Sequence, residues 1–122
     1  MGTNDAVEAL ELSLAQDSAT PDFGASDRIA YLNEQRAKLR ALVIEPVPVV
    51  AHAGPWAQEH CGLSAEPYHM LAVAYSPEGS GQCLLYNPVT HLFSLAYGHV
   101  TDQDGVDLVG YSSDDALAEW LG

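Results

Sequence analysis

The sequence predicts an α+β domain with an antiparallel sheet of about four strands and flanking helices at both ends. Near the N-terminus, two segments carry apolar residues at helical spacing. From His69 onward, three apolar runs are separated by short turns, which is typical of an antiparallel meander. The 122 residues fit a single domain, and a hydrophobic content of 48% is enough for a sizeable core.

A first helix is predicted over residues 5–16, because Val7, Leu10 and Leu14 fall on one helical face. The following segment, residues 17–26, is rich in Pro, Gly, Ser and Asp and predicts a linker. We therefore interpret the helix as an appendage. The predicted boundaries are an N-terminal helix and linker over residues 1–25 and one α+β domain over residues 26–122.

A second helix is predicted to begin after Ser26 or Asp27, either of which can cap it, and to end near Val43. Pro46 and Pro48 end it, because a residue that precedes proline is pushed out of the helical region.

The segment after this helix is harder to interpret. Residues 47–51 indicate a short extended segment at a sheet edge, because proline cannot donate a hydrogen bond to a neighbouring strand. Residues 52–68 are either irregular or contain one short helix around 56–61.

Four strands are predicted in the C-terminal half, over residues 69–76, 82–86, 91–98 and 108–111. A final helix follows, with Ser112 and Asp115 as its capping box. The residues expected to be largely buried are Leu84, Leu85, Phe93, Leu95, Leu117 and Trp120.

The charge distribution is strongly asymmetric. The sequence has seventeen acidic and four basic residues, which gives a net charge of −13. All four cations lie within residues 28–40. Such a charge repels nucleic acid and anionic membranes and attracts basic partners, so we expect a basic protein partner and no direct contact with nucleic acid or membrane. A second copy of this chain is the alternative partner for the basic helix, which would give a homodimer.

The residues predicted to contact a basic partner are carboxylates of a loop and of the start of the last helix, and several of them can come together on one acidic edge. Trp56 is the alternative anchor, because tryptophan is enriched at binding hot spots. The carboxylates of the predicted edge are Asp102, Asp104, Asp107, Asp114, Asp115 and Glu119.

Catalytic and metal sites are disfavoured. The five histidines and two cysteines lack the spacing of known zinc motifs, and no cation other than histidine lies near either cysteine to lower its pKa. We therefore predict a non-enzymatic protein with free thiols and without metal or cofactor. The N-terminus lacks the pattern of a signal peptide, which makes the cytoplasm the expected location.

The C-terminal half, from Met70 to Leu121, resembles the SUKH superfamily of bacterial toxin-immunity proteins. The resemblance is carried by MLAVAYSPEGSG, QCLLYNPVTHLFSLAYG and YSSDDALAEWL, in that order. It implies an α+β domain that binds and neutralises a toxin, often a nuclease. The alternatives are a nucleic-acid mimic that inhibits a DNA-binding defence protein, as anti-restriction and anti-CRISPR proteins do, and a small metal-binding or enzyme domain built on the histidines and Cys61.

Overall fold

A computed structural model describes residues 3–16 and 27–121, and it confirms the predicted α+β class. The predicted linker and the domain boundary at residue 25 lie outside the described residues. The elements are α1 (Thr3–Ala15), α2 (Arg28–Arg40), β1 (Val43–Ala53), α3 (Pro55–Cys61), β2 (Tyr68–Ser76), β3 (Gln82–Asn87), β4 (Leu92–Tyr97), β5 (Val106–Ser113) and α4 (Ala116–Leu121).

The sheet is a closed barrel in the order β1-β2-β3-β4-β5, with one strand more than the sequence suggested. Consecutive strands pair antiparallel, and since their number is odd, β1 and β5 run in the same direction. They close the barrel through a short parallel pairing, Ala51 with Val106 and Ala53 with Leu108, which we call the seam. Gly105 permits this closure, because a Cβ there would overlap the carbonyl oxygen of Val50.

The interpretation of residues 47–51 as a short edge segment is wrong. Strand β1 has 11 residues and is paired on both sides, with β2 and with β5. The register of β1 with β2 shifts between Val43 and Val47. Pro46 lies in this irregular stretch, where its lack of an N–H group does not interrupt the regular pairing with β2.

The barrel interior combines alanines with larger apolar side chains, because a barrel of five strands is narrow and has room for few bulky groups. Ala51, Ala72 and Ala96 are fully buried there, and every strand contributes to the same cluster. The larger members of this interior cluster are Val49, Met70, Cys83, Leu85, Val106 and Leu108.

A second cluster lies on the outer face of the barrel, where α1, α2 and α4 cover the strands. The six residues predicted to be buried are all buried, and Trp120 packs α4 against the sheet as expected. Leu10 and Leu14 of α1 belong to this same cluster and are almost fully buried. The interpretation of the first helix as an appendage is therefore wrong.

Hydrogen bonds between helices fix α1 in this position. The Ser13 hydroxyl accepts a bond from the backbone N–H of Ala116 (2.8 Å) and donates one to the carbonyl oxygen of Asp114 (2.6 Å). Just beyond the same end of α1, Nη2 of Arg36 donates to the carbonyl oxygen of Gln16 (2.9 Å). The N-terminus of α4 is thus satisfied from α1, which is more than 100 residues away in the chain.

The predicted capping box of α4 is corrected in detail. Ser112 lies within β5, which extends to Ser113, and so it cannot cap the helix. Asp115 is itself the capping residue, since its carboxylate accepts a hydrogen bond from the N–H of Ala118 (3.0 Å).

Candidate interaction surface

Two aromatic side chains meet on the surface of the barrel and remain largely exposed. Trp56 of α3 is 50% exposed and Tyr111 of β5 is 60% exposed. Their ring centroids lie 5.9 Å apart in an edge-to-face arrangement. His60, one turn further along α3, stacks on Trp56 with a centroid distance of 4.8 Å. Trp56 is thus held in place from two sides while much of its surface faces solvent.

The close approach of α3 to β5 depends on Gly110. A Cβ at this position would lie 2.9 Å from Sγ of Cys61 and 3.2 Å from the methyl group of Ala57, which is buried under α3. The helix can therefore lie directly on the strand, and this brings Trp56 against Tyr111. Tyr111 is not among the residues predicted from the sequence. The local feature that marks it is an aromatic residue next to a glycine in a predicted strand.

An apolar groove of about 370 Å³ runs beside Tyr111, between β5 and α4. Leu95, Val109 and Ala118 form its floor, and Glu119 stands at its rim. The carboxylate of Glu119 accepts a hydrogen bond from the Ser113 hydroxyl (2.8 Å), which fixes its position. An aromatic wall, an apolar floor and an acidic rim therefore occur together.

A second cleft, more polar than the first, adjoins this groove. Asp114, Asp115 and Glu119 line it together with Ser13 and Gln16 from the end of α1. Glu119 lines both depressions, so the aromatic pair and three of the predicted carboxylates form one continuous face. We call this face the β5–α4 surface, and its defining residues are Trp56, Tyr111, Asp114, Asp115 and Glu119.

The other three predicted carboxylates lie at the opposite end of β5. Asp107 pairs with Tyr97, and Ser113 pairs with Phe93. Tyr97 and Phe93 are four positions apart on β4, so the backbone at the two ends of β5 is about 13 Å apart. The six carboxylates therefore divide into two groups of three, one at each end of β5. A strand of eight residues separates the acidic loop from the last helix, and sequence analysis underestimated its length.

The acidic loop before β5 is internally ordered. The carboxylate of Asp102 accepts a hydrogen bond from the N–H of Asp104 (2.8 Å), and Nε2 of His52 lies 2.9 Å from the Asp104 carbonyl oxygen. The carboxylates of Asp102, Asp104 and Asp107 are exposed. Whether they contact a partner stays a prediction.

The histidines are distributed over the fold and make local hydrogen bonds. Nδ1 of His99 lies 2.6 Å from the Tyr75 hydroxyl, and Nδ1 of His91 lies 2.6 Å from the Tyr86 hydroxyl. Within residues 3–16 and 27–121, no three or more His, Cys, Asp or Glu side chains are grouped so that they could hold a metal ion.

The two cysteines are free thiols in different environments. Cys83 is fully buried in the barrel, and burial raises the pKa of its thiol to about 11. It is therefore protonated and unreactive at neutral pH. Cys61 is the last residue of α3 and is half-buried, with its Sγ next to Gly110.

Comparison with family models, with curated proteins and with solved structures finds no match for this chain. The resemblance to the SUKH superfamily therefore stays a prediction. Among the described helices, none has the length and apolar character needed to cross a membrane. The fold and the β5–α4 surface are the basis on which function can be argued.

Proposed function

We propose that this protein binds a basic protein and blocks its action, as an immunity-like inhibitor of a toxin such as a nuclease, without catalysis of its own. The main support is the β5–α4 surface, where the exposed pair Trp56 and Tyr111 adjoins the carboxylate of Glu119. The proposed place of action is the cytoplasm, where both thiols would stay reduced.

The chemistry of the surface indicates what kind of partner fits it. Tryptophan and tyrosine dominate binding hot spots because each buries a large area and loses little side-chain entropy. The apolar floor of the groove accepts an aliphatic or aromatic side chain, and the acidic rim favours Lys or Arg beside it. A partner with an apolar residue flanked by basic ones meets both requirements.

The net charge of −13 adds a kinetic argument. Complementary charge steers two proteins together and accelerates association, and this effect weakens as salt is added. An inhibitor that must capture a toxin before it acts benefits from such steering. The carboxylates at both ends of β5 contribute to the attracting field, although only one group borders the aromatic pair.

The proposal is tested by site-specific photocrosslinking in a lysate of the source cells. A photoreactive benzoylphenylalanine replaces Tyr111 on the proposed surface. In a matched control it replaces Tyr97, another exposed tyrosine (48%), which lies at the far end of β4. We expect position 111 to capture a basic protein that position 97 does not capture, and we expect stoichiometric wild-type protein to inhibit that partner's activity. Equal capture from both positions, or a partner whose activity is unchanged, would overturn the proposal.

A nucleic-acid mimic is the second candidate, favoured by the two groups of carboxylates at opposite ends of β5. In that case the captured partner would be a DNA-binding protein. Duplex DNA added to the complex would then release the partner from the wild-type protein, whereas a toxin held through the aromatic pair would stay bound.

The basic helix α2 is the proposed contact for a second copy of this chain. Its charges are partly used within the fold, because Lys38 pairs with Glu34 (3.3 Å) and Arg36 binds the end of α1. Sedimentation of the wild-type protein and of a Lys38→Glu, Arg40→Glu variant tests the homodimer. If α2 forms the dimer contact, the variant sediments as a smaller species than the wild type.

A further inference from the structure

The barrel has a cavity of about 210 Å³ at one mouth, near the β3–β4 turn. We call it the mouth cavity. It is partly enclosed and extends the apolar interior of the barrel toward solvent. The residues that matter for its chemistry are Leu63, Met70, Leu108, Ser94 and Ser112.

The walls of the mouth cavity are mainly apolar and belong to the barrel core. Met70 and Leu108 are buried members of the interior cluster, and Leu63 packs against that cluster. None of the lining residues carries a charge. A charged ligand would lose its hydration without gaining a partner of opposite sign, so the walls select against ions.

Two hydroxyl groups stand out against these walls. Ser94 is only 4% exposed and Ser112 is directly opposite it in the pairing of β4 with β5, so their Cβ atoms are about 5 Å apart. Within the described part of the chain, neither side chain hydrogen bonds to the protein, although both line the cavity. Ser94 Oγ is not among the buried unpaired atoms of the described chain, so this hydroxyl opens onto the cavity and can pair with a ligand there.

Asn87, Tyr68 and Thr90 are the other polar residues of the lining, and the first two each use an acceptor atom within the fold. The Asn87 carboxamide oxygen accepts a hydrogen bond from the N–H of Val89 (2.9 Å), and the Tyr68 hydroxyl accepts one from the N–H of Ser64 (2.9 Å). These two residues shape the cavity mouth. Among the lining serine and threonine residues, Thr90 is exposed, whereas Ser94 is buried and Ser112 lies opposite it on β5.

We infer that the mouth cavity binds a small, neutral, mainly apolar molecule that carries a hydroxyl or carbonyl oxygen, with Ser94 and Ser112 as its hydrogen-bond partners. The volume fits a substituted six-membered ring, since apolar cavities of about 150 Å³ in other proteins take up benzene. This site lies inside the barrel mouth and does not depend on the proposed inhibitor function.

The test uses benzyl alcohol and toluene, which differ in the hydroxyl group, as probes of full-length ¹⁵N-labelled protein. Titrations followed by two-dimensional NMR should show saturable shifts at amides around the cavity for both probes. Ser94→Ala should bind benzyl alcohol about fivefold more weakly and toluene about as well as wild type, because only the alcohol loses a hydrogen bond. Ser80→Ala, in the exposed β2–β3 turn, is the matched control and should change neither affinity.

Ser112→Ala provides a second variant at an exposed position, so that the test does not depend on the folding of the Ser94 variant. It should also weaken benzyl alcohol binding selectively. The inference is overturned if neither probe gives saturable shifts, if the shifts are scattered over the surface, or if both serine variants bind benzyl alcohol as wild type does.

Discussion

Ser13→Ala tests whether α1 is an integral part of the fold. The Ser13 hydroxyl caps α4 from outside that helix, accepting from Ala116 N–H and donating to the Asp114 carbonyl oxygen. Replacing a capping serine by alanine usually costs about 0.5–2 kcal/mol. Alanine favours the interior of α1 by about 0.5 kcal/mol, which offsets part of this loss. We therefore expect a net destabilisation of about 1 kcal/mol.

The expected shift in melting temperature follows from chain length. With an unfolding entropy of about 2.1 cal/mol/K per residue over 122 residues, 1 kcal/mol corresponds to about 4 °C. Thermal and urea unfolding followed by circular dichroism measure it, with the exposed Ser80→Ala as control. Hydrogen exchange should also accelerate at the amide of Ala116, which loses its acceptor. A variant within about 0.3 kcal/mol of wild type and with unchanged exchange at Ala116 would refute the reasoning.

Three further predictions concern the core, a buried thiol and the carboxylates. Trp120→Ala should cost about 3–5 kcal/mol in urea unfolding, and a loss below about 1 kcal/mol would mean that α4 docks differently. Burial raises the pKa of Cys83 to about 11 in the folded protein, whereas an unfolded thiol has a pKa of roughly 8.5. The protonated Cys83 thiol therefore contributes its full stability below the unfolded pKa, and this contribution is lost as the pH rises toward the folded pKa. Cys83→Ala should therefore lose less stability than wild type between about pH 8 and pH 10.5, and parallel losses would contradict the assignment. Neutralising the near group of carboxylates, beside the aromatic pair, should slow association with the captured partner and flatten the salt dependence of the association rate. Neutralising the distant group should have a smaller effect on both. Equal effects of the two changes would argue against the β5–α4 surface. The near group is Asp114, Asp115 and Glu119, and the distant group is Asp102, Asp104 and Asp107.

Local signals in the sequence were sufficient for the meander. The strands around Leu84 and Phe93 are separated by turns whose Pro, Gly and Asn residues specify a reversal, so their pairing follows from neighbouring residues. The closure of the barrel depends instead on the pairing of Ala51 with Val106, which no local pattern encodes. The prolines of β1 are typical of an edge strand, although β1 is paired on both sides.

The candidate surface was predictable only in part. Trp56 and Glu119 were selected for their chemistry, and the structure brings them to one face through Tyr111. That arrangement depends on the contact of α3 with Gly110, which is long-range and becomes visible only in the fold. Ser94 was passed over because a single serine within an apolar strand resembles an ordinary interior position.

The seam gives the β5–α4 surface a mechanical consequence. Strands β1 and β5 are more than 50 residues apart in the chain and share only three paired positions, so their closure carries a large loop entropy for few contacts. Trp56 lies in α3, the element that follows β1, and Tyr111 lies in β5. A partner that contacts both rings therefore holds the two strands together. Binding would stabilise the seam, and we expect the amides of its three paired positions to gain the most protection against exchange.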